Sequence, residues 1–492
     1  MSMLPQEDRD RLLADLASMG SSGRAEGENK EAFPKTFLPV AEHARAFDPD
    51  VVLIVGERGS GKSELFRAVV ELKLLDSIVR RSRLSKVSSQ NTVWLPGHPL
   101  HKEFPNAAGL RRFVGANASD PEAIQDLWFA YLLRVLHEHL PSGNPLKGSD
   151  LLSLPGAEVD KIVDEFRKAG SQPLVILDQL DNRLEREGRW IFVSYDELDI
   201  LGSYDWEAMG RAIQGLISFW AEHSRRWSRI RAKLFLRTDL FRRHWQLLGA
   251  DLSKLAANRA EISWSDRNLY AMLVKRIANG SEALKKYCLS SRLRFVEDPQ
   301  LGLIPQMDKA EDARSLIERM AGQYMGANLK KGSTFRWLLT HVRDGNGRAM
   351  PRALVRLIEE AAMQEREVQR ATQSRLLNPV SLRRALDKVS EEHVLQANIS
   401  ELPWLPGVAD RLRGKGVPME RRFAEKDLAR DWDKDWSGQS ETIRPPVDKP
   451  SELVDYLVEI GVFRLRPEGR IDVPDLFLNG LGMTRKGGVA KH

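Results

Sequence analysis

Eight residues, Gly-Glu-Arg-Gly-Ser-Gly-Lys-Ser at 56–63, constrain this chain most, because they join an unbroken apolar run, VVLIV at 51–55, to a helical pattern, ELFRAVVELKLL. An apolar run of that kind belongs to a strand buried on both faces. Gly56, Gly59 and Gly61 let backbone amides curl around an anion without side chains in the way, and the helix start adds the positive end of its dipole. Lys62 is spaced to bridge β- and γ-phosphate oxygens, and the Ser63 hydroxyl to ligate magnesium. Arg58, Ser60 and Glu64 complete the expected nucleotide-binding stretch. A chance glycine-rich loop is the plainer reading, and the strand and helix on either side argue against it.

Such a site needs an acidic partner at a neighbouring strand end, and two segments compete for the part. PLVILDQLDN at 173–182 offers Asp178; WIFVSYDELD at 190–199 offers Asp196 and Glu197. Leu177, Leu180 and Leu184 recur at helical spacing and Gly188 is a natural helix stop, so the first segment reads as a helix and the second as the strand. Asp196 is then the expected magnesium ligand, and Glu197 the carboxylate that polarises an attacking water. Asp199 reads as structural or as an acceptor that supports the metal-binding residues.

AKLFLRTDLF at 232–241 is another buried-strand pattern, ending in Arg237, Thr238 and Asp239. In a parallel sheet this end lies beside the phosphate loop, where Thr238 can sense the γ-phosphate or orient water. The competing reading is a strand cap with a salt-bridge cluster. AEISW at 260–264 is expected to close the sheet.

Strands alternating with helices such as DLWFAYLLRVLHEHL at 126–140 imply a parallel sheet covered on both faces. TVWLP at 92–96 is a further strand candidate. Beyond about residue 265 the strand signal fades into helical patterns, LYAMLVKRIA, FRWLLTHV and PRALVRLIEEAAM. WDKDWSGQSETIRPPVDKP at 432–450 reads as a boundary, followed by a helix ending at Gly461 and two strands turned at Pro467–Gly469. At the other end, Leu12, Leu13 and Leu16 mark a short helix before a glycine- and charge-rich linker.

A chain of 492 residues is too long for one ordinary core. One cysteine, Cys288, excludes an internal disulfide framework and fits a reducing, cytoplasmic setting. No apolar run approaches a membrane span, and the charged N-terminus is not that of a signal peptide. The net charge of +6 admits nucleic-acid contact without requiring it. Pairs such as His98 with His101 and His137 with His139 read as surface residues, and no zinc site is expected.

The order GERGSGKS, YDELD, FLRTD, GRAMPRALVRLIEEA resembles AAA+ ATPases, especially the origin-recognition-like and STAND branches with a C-terminal winged helix. That resemblance implies an α/β P-loop NTPase sheet at 37–265, a helical lid at 266–375 and a winged-helix-like region at 376–492, after an N-terminal helix and linker at 1–36. It implies ATP and Mg2+ as cofactors, a nucleotide contact from Arg352 in the lid, and an intersubunit arginine finger at Arg242 or Arg243. It further implies a homo-oligomer or a partner effector protein, with antiphage defence as a setting. The long stretch between about 97 and 170 departs from a minimal core of that kind. The expected activity is an ATP-hydrolysing switch; the alternative is an ATP-controlled DNA-binding regulator or loader, with Arg464, Arg466, Arg470, Arg485 and Lys486 on or beside the wing facing phosphates.

Overall fold

The computed structural model describes residues 5–19, 31–57, 59–80, 86–97, 104–198, 206–245, 253–368, 375–400, 402–437 and 443–486. The chain divides into two compact units, Pro39–Ser263 and Met1–Leu38 with Trp264–His492. Among the described residues, no helix is long and apolar enough to cross a membrane.

Among the described residues, the first unit is built on five strands: β1 (Leu53–Gly56), β2 (Thr92–Pro96), β3 (Trp190–Tyr195), β4 (Ile230–Arg237) and β5 (Ala260–Ile262). All neighbours are parallel, in the order β2-β3-β4-β1-β5. Parallel neighbours require crossovers, and the helices between the strands supply them. The result is the α/β fold of a P-loop nucleotide triphosphatase.

Alternation along each strand separates the two faces. Leu53 and Val55, Ile191, Val193 and Tyr195, and Ala232, Leu234 and Leu236 share one core with the helices at 107–116, 121–135, 159–168, 172–186 and 206–226. Phe192, Ser194, Lys233 and Phe235 alternate with them and lie on the other face. There Trp94 stacks on Phe192 at 4.3 Å, and Phe66, from the helix after the phosphate loop, meets Phe235 edge-on at 6.0 Å.

Segment 173–182 lies within helix Gln172–Arg186, and its acids serve the sheet rather than a metal. Asp178 accepts bonds from Arg226 Nε at 2.8 Å, Arg226 Nη2 at 2.6 Å and Trp227 Nε1 at 3.0 Å. One helical turn on, Asp181 accepts the backbone N–H groups of Ser228, Arg229 and Ile230. Spaced i, i+3 on one helix face, the two carboxylates hold the turn that launches β4.

The second unit is largely helical but holds an antiparallel hairpin, β6 (Arg294–Asp298) with β7 (Gly302–Gln306), where only helices were expected. The β7 side is buried against helix Asp266–Gly280, while β6 stands outside it. Helix Gln6–Ala17 packs on helix Pro351–Val368 in this same unit. The buried Arg9 donates to Glu365 at 2.9 Å, and the other Glu365 oxygen accepts from Asn378 and Ser381.

A glycine-bearing loop at 343–349 precedes helix Pro351–Val368. The Asp344 carboxylate accepts the N–H groups of Asn346 and Arg348 at 3.0 and 2.8 Å. Gly345 N donates to Gly461 O at 2.7 Å, and Asn346 Nδ2 to Glu459 O at 2.9 Å. The loop is thereby fastened to the end of helix Pro450–Glu459.

After that helix come β9 (Arg464–Leu465) and β10 (Arg470–Asp472), turned at Gly469 as the sequence indicated; they join β8 (Met419–Glu420) in the order β9-β10-β8. The guanidiniums of Arg464, Arg466 and Arg485 converge on Asp472, whose side chain is fully buried, and Arg470 pairs with Glu468. Desolvation works against the Asp472 anion, but these arginines outweigh it and hold its carboxyl below the usual range.

Candidate nucleotide site

The site starts where β1 stops. Gly56 pairs in register with Arg237 of β4 on one side and Ile262 of β5 on the other. A Cβ at Gly56 would come within 2.5 Å of Ser60 Oγ and 3.1 Å of Ile262 Cβ, so only glycine lets the turn close this tightly. Gly59 and Gly61 have φ of 70° and 94°, in the left-handed region where a side chain is strained. Gly61 O accepts Leu65 N at 2.9 Å, which starts the helix directly at Lys62. Motif and backbone therefore agree: the glycines sit where contact or φ demands them.

Lys62 Nζ donates to Gly56 O and Glu57 O, both at 2.9 Å, and so folds back over the turn. Ser60 is buried beneath it, while Ser63 and Glu64 are half-buried on the first helical turn. Arg58 lies outside the described residues.

At the end of β3 stand Asp196 and Glu197, both half-buried. Asp196 lies one residue past β3 and two beyond Ser194. Glu197 has φ of 56°, left-handed backbone in a residue with a side chain, at a cost of about 1–2 kcal/mol. Strain of this sort collects at functional positions. Nothing local in the sequence announces it.

Between β1 and β3 lies β4, whose end carries both expected features. Arg237 and Asp239 form a buried bidentate pair at 3.0 and 2.7 Å, as the salt-bridge reading required. Thr238 is buried as well, and its Oγ1 has no hydrogen-bond partner among the described residues. Arg242 is exposed on helix Thr238–Trp245, and the side chain of Arg243 lies outside the described residues, as does Asp199. Arg352 is exposed on the first turn of helix Pro351–Val368, in the second unit.

Sequence reasoning passed over Lys233. It is wholly buried in β4, and its ammonium donates to the carbonyls of Asp48 and Val51 just before β1. Burial pushes it down to about 7. A polar residue inside an apolar strand run, AKLFLR, was the available signal.

These residues suit a magnesium nucleotide. Magnesium takes most ligands from phosphates and water and one or two from side chains, so a hydroxyl and a carboxylate suffice. Among the described residues no three His, Cys, Asp or Glu side chains cluster as a protein-only metal cage.

No family model matches the chain. No curated protein matches it in sequence. Among solved structures it is similar to the Walker-type ATPase PABY2304 of Pyrococcus abyssi, at 12% identity over 93% of this chain and 97% of that one, with a TM-score of 0.35. It is also similar to the ORC2 protein of Aeropyrum pernix, solved as ADPNP–ADP complexes, at 13% identity over 92% and 96%, with a TM-score of 0.37. Likenesses this loose transfer no function, so the site itself must carry the reading.

Proposed function

We propose that this chain is an ATP-binding and ATP-hydrolysing switch of AAA+ or STAND type. The observation that carries the proposal is the meeting of a glycine-permitted turn, folded over by Lys62, with a parallel sheet whose third strand ends in Asp196–Glu197. In this reading the amides of 59–63 and the Lys62 ammonium bind the β- and γ-phosphates, exchanging two carbonyl partners for phosphate oxygens. Ser63 and Asp196 hold Mg2+, which when bound neutralises charge on the phosphates. Glu197 orients and deprotonates water, and Thr238 offers its hydroxyl at the adjacent strand end.

The proposed layout is an ATPase domain at 37–265, a helical lid at 266–375 and a winged-helix-like region at 376–492. Arg352 reports the nucleotide state to the lid, and Arg242 or Arg243 completes a neighbouring site in a homo-oligomer or against an effector protein. A differential contact with the γ-phosphate biases the two states. The setting is cytoplasmic; a place in antiphage defence rests on the family resemblance alone. Duplex binding by the C-terminal hairpin gains little support, because four of its five basic residues are engaged by Asp472 and Glu468.

The test is calorimetry with magnesium ATP alongside steady-state phosphate release. Lys62→Ala should abolish the heat of binding; Glu197→Gln should retain it while turnover falls by at least about 100-fold. Undiminished hydrolysis by Glu197→Gln would remove Glu197 from its role, and binding by Lys62→Ala would remove the site.

A further inference from the structure

The edge of β6 is the surface that the proposed ATPase reading does not use. The strand reads Arg294-Phe295-Val296-Glu297-Asp298 and pairs only with β7 among the described residues. Its burial is low along its whole length, and Val296 at its centre is 51% exposed. A two-stranded ribbon is marginal by itself, and an open edge with an apolar centre invites another strand.

The sequence of the strand selects its partner. A closed two-fold pairing of identical antiparallel strands requires one residue to face its own copy, because the symmetry axis passes through a directly opposed pair. For this five-residue strand, full-length pairing leaves a single choice of centre, Val296. In that register Arg294 faces Asp298 of the second copy at both ends, and Phe295 faces Glu297. Val296 meets Val296, with Arg294 and Asp298 on its own face of the strand. Opposite charges directly across a strand pair stabilise it, and like charges destabilise it. A shift of the centre by one residue would set Arg294 against Val296, or Val296 against Asp298, and lose both ion pairs.

We infer that β6 is a homodimerisation edge: two copies of this chain join β6 to β6 antiparallel, making a four-stranded sheet in the order β7-β6-β6-β7 centred on Val296. The contact is isologous, so it closes at two copies and stays distinct from any head-to-tail ring at the ATPase unit.

Analytical ultracentrifugation of the full-length protein without nucleotide tests this apart from ATP binding. The wild type should shift from monomer to dimer with concentration, and Val296→Lys should sediment as a monomer throughout. Arg294→Asp and Asp298→Arg should each be monomeric alone yet dimerise when mixed, because only the mixed pair restores opposite charges at both ends. Asp298 also accepts the N–H groups of Gln300 and Leu301 in the turn, so thermal melts must show that Asp298→Arg remains folded. If that variant unfolds, Val296→Lys and Arg294→Asp decide the matter. A wild type that stays monomeric at all concentrations, or dimers indifferent to Val296→Lys, would overturn the inference.

Discussion

Two glycine-bearing turns, 56–63 and 343–349, each introduce a helix with a basic residue in its first turn, Lys62 in one and Arg352 in the other. In the second, the glycine serves a neighbour. A Cβ on Gly345 would collide with Phe463 O, and the loop spends its Asp344, Gly345 and Asn346 groups on itself and on residues 459–461. In the first, Gly59 and Gly61 serve the backbone's own left-handed curl. Counting glycines does not separate a turn that fits a neighbour from a turn that curls on itself. What would occupy the place of the missing side chain does.

The comparison makes graded predictions. The largest effect belongs to Gly345→Ala, which must push the Phe463 backbone aside and should cost about 3 kcal/mol or more in denaturant unfolding, with ATP affinity unchanged. Weakened ATP binding in that variant would break the distinction. Next is Asp344, whose carboxyl burial raises from 3.8 to about 6. A raised carboxyl favours folding while protonated, so stability should fall as pH rises from about 4 to about 6, by up to about 3 kcal/mol. Asp344→Asn keeps an acceptor for Asn346 and Arg348, and its melts should be flat over that window.

Gly61→Ala comes third. Left-handed backbone costs alanine about 1–2 kcal/mol, and a turn that relaxes to relieve it loses its cradle, so ATP affinity should drop about tenfold or more by calorimetry. Gly347→Ala is the mildest case. Its φ is 78° but its Cβ would meet nothing within 4 Å, so about 1 kcal/mol of unfolding free energy should go and nothing else. Equal losses at 345 and 347 would mean that the contact with Phe463 is unimportant.

Much of the first unit was legible because its signals are local. The phosphate turn, its strand and its helix are contiguous, and Leu177, Leu180 and Leu184 betrayed a helix where Asp178 had suggested a strand end. Hairpin β6–β7 escapes the sequence although RFVED and GLIPQ flank a short Pro-Gln-Leu link, because Pro305 argues against a strand and helical patterns surround it. Sign alone makes Arg464, Arg466 and Arg485 outward-facing charge. One buried acid eight, six and thirteen residues away engages all three, and a pattern of signs cannot show which charge is desolvated. Nor could any sequence period foretell the φ of Glu197.

Arg9 reaches its carboxylate across 356 residues of chain. During synthesis at roughly 5–20 residues per second, helix Gln6–Ala17 therefore waits on the order of 20–70 s for Glu365 to be made. Throughout that interval the whole Pro39–Ser263 unit emerges and can fold, while Leu12, Leu13 and Leu16 remain without their eventual cover. The Pro39–Ser263 unit thus emerges between two parts of an unfinished neighbour, and helix Gln6–Ala17, translated before it, is seated after it.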